Sequence, residues 1–207
     1  MSVWFVTGAS RGFGAELVKE AVARGNQVVA TARRPDDIPD QQGVLRLTLD
    51  VTDEAQARAA VDAAVQEFGR IDVVVNNAGR GLLGAVEEAS DEAARAVFDT
   101  NVFGVPGLFR TDFLDGSSLH RADGEIADYA ETAGAMRKIA TERNHAQPGD
   151  PAKAAAAIVA LTEAADPPLR IQLGADSVGR VEAKLDQVRS ELEQWRKVSV
   201  GTDHDDA

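Results

Sequence analysis

The chain has 207 residues, with 34 acidic and 22 basic side chains, a formal net charge of −12 and no cysteine. A charge of that sign repels nucleic acid and anionic membranes, and the lack of thiols excludes disulfides and thiolate metal sites. Hydrophobic residues at 44% and charged ones at 27% suit an ordinary globular chain, long enough for one domain with a sizeable core. His120, His145 and His204 are scattered without ligand spacing, so no metal is expected. No apolar run approaches a membrane span, and the chain opens directly on an apolar strand without a signal peptide, so a cytoplasmic protein with no membrane partner is expected.

In chain order, residues 3–6 form a short β-type apolar run, broken by glycines at 8, 12 and 14. Leu17, Val18, Ala21 and Val22 follow at helical spacing and stop at Arg24 and Gly25. Strand, glycine-rich turn and helix bring bare backbone N–H groups and a positive helix end to one point, which makes a phosphate site. Gly8 can take the sharp turn, while Gly12 and Gly14 leave room for a pyrophosphate and a close helix. Ser10, Arg11 and Phe13 complete the turn as expected cofactor contacts. The spacing, Thr-Gly-x-x-x-Gly-x-Gly, departs from the Gly-x-Gly-x-x-Gly fingerprint.

Residues 27–31 read as a second strand, followed by Arg33 and Arg34 where a dinucleotide fold places its ribose reader. An acidic residue there accepts from the 2′-hydroxyl of NAD, whereas arginine accommodates the 2′-phosphate of NADP, so NADP(H) is the expected cofactor. Residues 44–49 alternate towards a third strand and lead into Asp50 and Val51. Asp53 is a good N-cap with Gln56 three residues on, and the helix behind it carries Val61, Ala64, Val65 and Phe68 before stopping at Gly69. Residues 71–75 are the strongest strand and run into Asn76, Asn77, Ala78 and Gly79. Alternating strands and helices predict an α/β fold, a Rossmann-like doubly wound parallel sheet.

The glycine turn, Asp50-Val51 and Asn76-Asn77-Ala78-Gly79 occur in the order and approximate spacing of the short-chain dehydrogenase/reductase family, which the chain resembles. The resemblance implies hydride transfer between a nicotinamide cofactor and a small alcohol or carbonyl substrate. It implies that Asp50 and Val51 read the adenine edge and that Asn77, Ala78 and Gly79 line the cofactor channel. Ser90 caps a further helix, with Asp91 and Glu92 in its first turn and Ala94, Val97, Phe98, Asn101 and Val105 on its apolar face. Asn101 reads equally as a buried amide partnered by backbone or as the one remaining member of the family's proton relay.

The pattern then breaks. A family member continues through strand, helix and strand, supplying a serine and a Tyr-x-x-x-Lys pair whose shared helical face lets the ammonium lower the phenol pKa. Here Val105 runs into Pro106 and Gly107, resembling the family's later Pro-Gly loop, in which Thr111 faces the nicotinamide carboxamide and phosphates. The only tyrosine is Tyr129, and four residues on stands Ala133. The reading is an internal deletion after about residue 105, with the preceding helix ending at about Gly104 and strand 71–75 left without its neighbour.

Beyond the junction, residues 124–142 predict a helix, Asp150-Pro151 an N-cap with proline at N1, and residues 154–162 the helix behind it. Residues 169–173 predict a last strand. Val178, Val181, Leu185, Val188, Leu192 and Trp195 form a heptad stripe, expected to pack on its own domain or otherwise to make a subunit contact in a homo-oligomer. One cofactor-binding domain over 1–200 is expected, with halves at 1–105 and 106–200 and an acidic tail at 201–207. The expected function is an oxidoreductase by descent with little or no turnover, or else a non-catalytic NADP(H)-binding or subunit-interaction protein.

Overall fold

The computed structural model describes residues 1–101, 112–114, 118–122 and 124–202, except the side chains of Phe98, Asp99 and Asp112. Four strands, β1 (Val3–Thr7), β2 (Gln27–Ala32), β3 (Val44–Thr48) and β4 (Val73–Val75), form a parallel sheet in the order β3-β2-β1-β4. Val3 of β1 lies opposite Gln27 of β2, and Trp4 opposite Val73 of β4. A separate parallel pair joins β5 (Gly81–Leu83) to β6 (Leu119–Arg121). The described α-helices are α1 (Gly12–Ala23), α2 (Glu54–Phe68), α3 (Asp91–Thr100), α4 (Ala135–Arg143), α5 (Pro151–Glu163) and α6 (Ala175–Val200).

Every residue of β1 is buried, as a central parallel strand requires when helices cover both faces. Successive side chains turn to opposite faces. Trp4, Val6, Val28 and Ala30 meet Val18 and Ala21 of α1 and Val159 of α5 on one side. Phe5 and Val29 meet Ala60 and Ala64 of α2 on the other. Each large apolar side chain buried there contributes about 1.5–3 kcal/mol, which fixes the register of the sheet and so the loops at its carboxyl edge. The sheet is therefore doubly wound.

The caps expected at Asp53, Ser90 and Asp150 all form. Asp53 accepts from the N–H groups of Ala55 and Gln56, Ser90 from that of Ala93, and Asp150 from those of Ala152 and Lys153. Several expectations are corrected. The strand read over 71–75 pairs only at Val73–Val75, and among the described residues β4 is the edge of its sheet, with Val74 61% exposed. The helix begun at Ser90 ends at Thr100 rather than about Gly104, because Asn101 turns to cap it. The helix read over 124–142 begins as a tight turn at Ala127–Tyr129, passes through a π-helical stretch at Ala130–Gly134 and becomes α4 only at Ala135.

Residues 169–173 form no strand. Their alternation is a local pattern, but a strand also needs a ladder partner, and Leu169 stands 93% exposed. The heptad stripe does not pack on its own domain either: α6 has no buried residue. The turn at Pro106 and Gly107, Thr111 and the tail at 203–207 lie outside the described residues. Among the described residues, no helix is long and apolar enough to cross a membrane.

Candidate functional site

The loops leaving β1, β2, β3 and β4 meet around a cavity of about 480 Å³ at the carboxyl edge of the sheet. β1 lies between β2 and β4, so the winding reverses beside it, and such a reversal opens the crevice in which open α/β sheets bind ligands.

Thr7 and Asn77 tie the two central loops together. The Thr7 hydroxyl donates to the Val75 carbonyl (3.2 Å) and accepts from the N–H groups of Asn77 (2.9 Å) and Ala78 (3.0 Å). The Asn77 side-chain amide donates to the carbonyls of Thr7 (2.9 Å) and Gly8 (3.1 Å). This closeness is what requires glycine nearby. Gly8 has φ +65°, and a Cβ there would lie 2.9 Å from Ala78 Cα. A Cβ on Gly14 would stand 2.3 Å from the Gly8 carbonyl oxygen, so α1 could not sit so near the turn.

The start of α1 differs from those of α2, α3 and α5. Its N-cap is Arg11, whose side chain makes no cap hydrogen bond. A cation at the positive end of a helix dipole is an arrangement completed by an anion. Arg11 also reaches across the cavity, its guanidinium Nη2 donating to the Ser118 hydroxyl at 2.7 Å.

The structure places Gly8, Ser10, Arg11, Phe13, Arg33, Asp50, Val51, Asn77, Ala78 and Gly79 on the cavity wall. Gly12, with φ +55°, and Gly14 shape the turn behind that wall. The two expected ribose-reading arginines separate. Arg33 lines the cavity, whereas Arg34 turns away to Asp37 at 3.0 Å, its side chain 83% exposed.

Asp50 is held by its neighbours. Its carboxylate accepts from the Thr52 N–H (3.0 Å) and hydroxyl (2.7 Å), and its own N–H donates to Gln56 Oε1 (2.9 Å). The Thr52 bonds, reinforced by the charges of Arg33 and Arg80, hold the carboxyl below its ordinary pKa, so it stands ionised as an acceptor.

Asn101, read as lying on a buried face, is exposed and is partnered by backbone. Its side-chain oxygen accepts from the Arg80 N–H at 2.9 Å and its NH₂ donates to the Arg80 carbonyl, so both ends clamp α3 to the loop after β4. Tyr129 is not on the cavity wall but on a separate depression with Glu87 and Met136. Hydrogen bonding to Glu87, with that carboxylate's charge, raises its phenol pKa, the reverse of what an activated proton donor needs. Lys138 pairs instead with Glu142 at 3.8 Å.

Sequence reasoning missed Arg80, Ser118 and His120, which also line the cavity. Arg80 follows the Asn-Asn-Ala-Gly turn directly, and that adjacency was a usable signal. Ser118 and His120 arrive with β6, whose pairing to β5 crosses more than thirty residues and leaves no local pattern.

Comparison with known proteins agrees with this geometry. The family pattern for short chain dehydrogenase matches residues 2–143. Oxidoreductase BOA17 of Botryotinia fuckeliana is 25% identical over 272 residues, covering 97% of this chain and 98% of that protein. An uncharacterized oxidoreductase of Methylorubrum extorquens is 42% identical over 156 residues, 65% of this chain and 62% of its own length. Against several other curated oxidoreductases the chain spans little more than a third of their length, 36% in a Schizosaccharomyces pombe protein. The crystal structure of a short-chain dehydrogenase from Streptomyces avermitilis superposes with a TM-score of 0.84 at 31% identity, covering 98% of this chain and all of that one.

Proposed function

Because the chain belongs to the short-chain dehydrogenase/reductase family of NAD(P)-binding oxidoreductases, we propose that it is an NADP(H)-binding member whose hydride-transfer centre is missing. The observation that carries the first half is the α1 terminus, whose helix-end donors are led by Arg11 at the mouth of the cavity. Those donors fit a diphosphate. When bound, the nicotinamide cofactor supplies or accepts a hydride against a small alcohol or carbonyl compound.

The chain's own groups then divide the work of holding it. Ser10, Arg11 and the backbone of residues 12–14 bind phosphate oxygens. Arg33, with no acidic residue at its position, receives the 2′-phosphate, a charge-assisted contact that NAD cannot make. Asp50 accepts from the adenine amino group and Val51 packs on its edge. Asn77, Ala78 and Gly79 form the inner wall. Asn101 serves as a clamp on that wall.

The second half rests on what stands where the proton relay is needed. The Tyr-x-x-x-Lys pair is absent from the sequence, and Tyr129 lies off the cavity beside Glu87. Loss of a positioned acid–base group costs roughly 10²–10⁴ in rate. The alignment with the Botryotinia oxidoreductase runs over 272 residues, more than the 207 of this chain, so that protein carries residues inside the aligned span that this chain lacks. This supports an internal deletion.

The test is a titration of the chain with NADPH, followed by a turnover assay of the same sample with a panel of aldehydes, ketones and secondary alcohols. Saturable binding with consumption no faster than in buffer is expected. Sustained turnover would overturn the inactive reading, its survival in Tyr129→Phe would clear Tyr129 of the acid role, and failure to bind would overturn the cofactor reading.

A further inference from the structure

The longest helix of the chain, α6, is 26 residues and about 39 Å long at 1.5 Å per residue, and none of its residues is buried. It nevertheless carries the most regular apolar stripe in the sequence. Val178, Val181, Leu185, Val188, Leu192 and Trp195 alternate in steps of three and four, and all are between 37% and 58% exposed. By heptad position, 178, 185 and 192 are a, and 181, 188 and 195 are d.

We propose that this stripe is the dimerisation surface of the protein, with α6 of one copy packed antiparallel on α6 of a second copy. Two independent features of the helix select that partner and that direction. The first is size. An antiparallel pair places each a residue against a d residue, and one register does so along the whole stripe: Val178 faces Trp195 of the other copy, Val181 faces Leu192, and Leu185 faces Val188. Every one of the six layers then matches a valine with a larger side chain, which packs evenly. A parallel pair would instead set Trp195 against Trp195 at one end and valine against valine in three layers.

The second feature is charge at the flanking e and g positions. In the same antiparallel register the e positions bring Glu182 to Arg189 of the other copy, and the g positions bring Lys184 to Glu191. Twofold symmetry doubles each, so four opposite-charge pairs border the apolar seam. A parallel pair would bring Lys184 to Arg189 twice, cancelling the attraction of Glu191 for Arg196. The present ion pairs of Arg189 with Asp186 and of Arg196 with Glu193 run along the helix itself, so the charged heads already stand beside the stripe. The surface is self-complementary, as a twofold interface must be.

The experiment is sedimentation equilibrium of the full chain across a concentration series, with three variants: Glu182→Arg, Arg189→Glu and the double exchange E182R/R189E. Circular dichroism of each confirms that the helix persists. The wild type is expected to sediment at twice the 21.9 kDa of one chain. Either single reversal turns two attractive cross-copy pairs into repulsive ones and should weaken the dimer roughly tenfold, while the double exchange restores it. A wild type that stays monomeric at every concentration overturns the proposal. So does tighter association of Arg189→Glu, which marks a parallel pair, or a dimer indifferent to both single reversals, which places the contact on another face.

Discussion

Arg33 and Arg34 are adjacent and chemically identical, yet only Arg33 lines the cavity. Arg33→Ala should weaken NADPH about tenfold or more, the cost of roughly 1.5–3 kcal/mol for a lost charge-assisted contact, and leave NADH nearly unchanged. Arg34→Ala should alter neither, since its partner is Asp37; calorimetric titration of both variants with both cofactors checks this. Gly14→Ala meets a backbone oxygen at 2.3 Å, which cannot swing aside as a flexible side chain would. It should cost about 1–3 kcal/mol in urea unfolding, and an unchanged midpoint would contradict the close packing of α1 on the turn. These residues were legible in the sequence because glycine and arginine act through one backbone position each. The separate fates of Arg33 and Arg34 were not, because side-chain direction after a strand depends on the fold around it.

At the scale of elements, what was legible was what local pattern decides. β1 to β3, the end of β4, and the capped starts of α2, α3 and α5 follow from periodicity and from Asp53, Ser90 and Asp150. What was not legible depends on distant partners: the pairing of β5 with β6, the short reach of β4, and the unformed strand at 169–173. Glu88 shows how such distant joins are held. Its buried carboxylate accepts from the N–H groups of Ala85 (2.7 Å) and Ile126 (2.9 Å) and pairs with Arg137 of α4, tying the segment after β5 to the helix beyond the junction. The N–H bonds from Ile126 and then Ala85, with the charge of Arg137, hold its pKa below the ordinary value of 4.5. A depressed carboxylate contributes stability that is full above its unfolded pKa and lost as the pH falls through the folded one. Glu88→Gln should therefore be less stable than the wild type at neutral pH, with the difference narrowing as the pH falls below about 4.5. Urea midpoints across that range read it, and a constant offset would mean the charge is not what holds α4.

The whole molecule combines a fully built half with an open one. The sheet core around β1 is covered on both faces, and the cofactor crevice sits where the winding reverses. Beyond it, Val74 on the edge of β4 and the length of α6 present apolar surface to solvent. Such surface in a folded protein marks a contact, and the antiparallel α6 pair accounts for the larger share of it. The cavity wall and the α6 stripe share no residue. Binding and association should therefore respond to different substitutions, Arg33→Ala leaving the dimer intact and Arg189→Glu leaving NADPH binding intact.

The claim on which the rest depends is a folded NADP(H) site in a chain without the family's proton relay. Thermal unfolding with and without NADPH, with NADH beside it, tests this most directly, because a ligand that binds only the folded state stabilises it by RT ln(1 + [L]/Kd). The account predicts one cooperative transition, raised more by NADPH than by an equal concentration of NADH. A transition indifferent to both cofactors, or none at all, would contradict it.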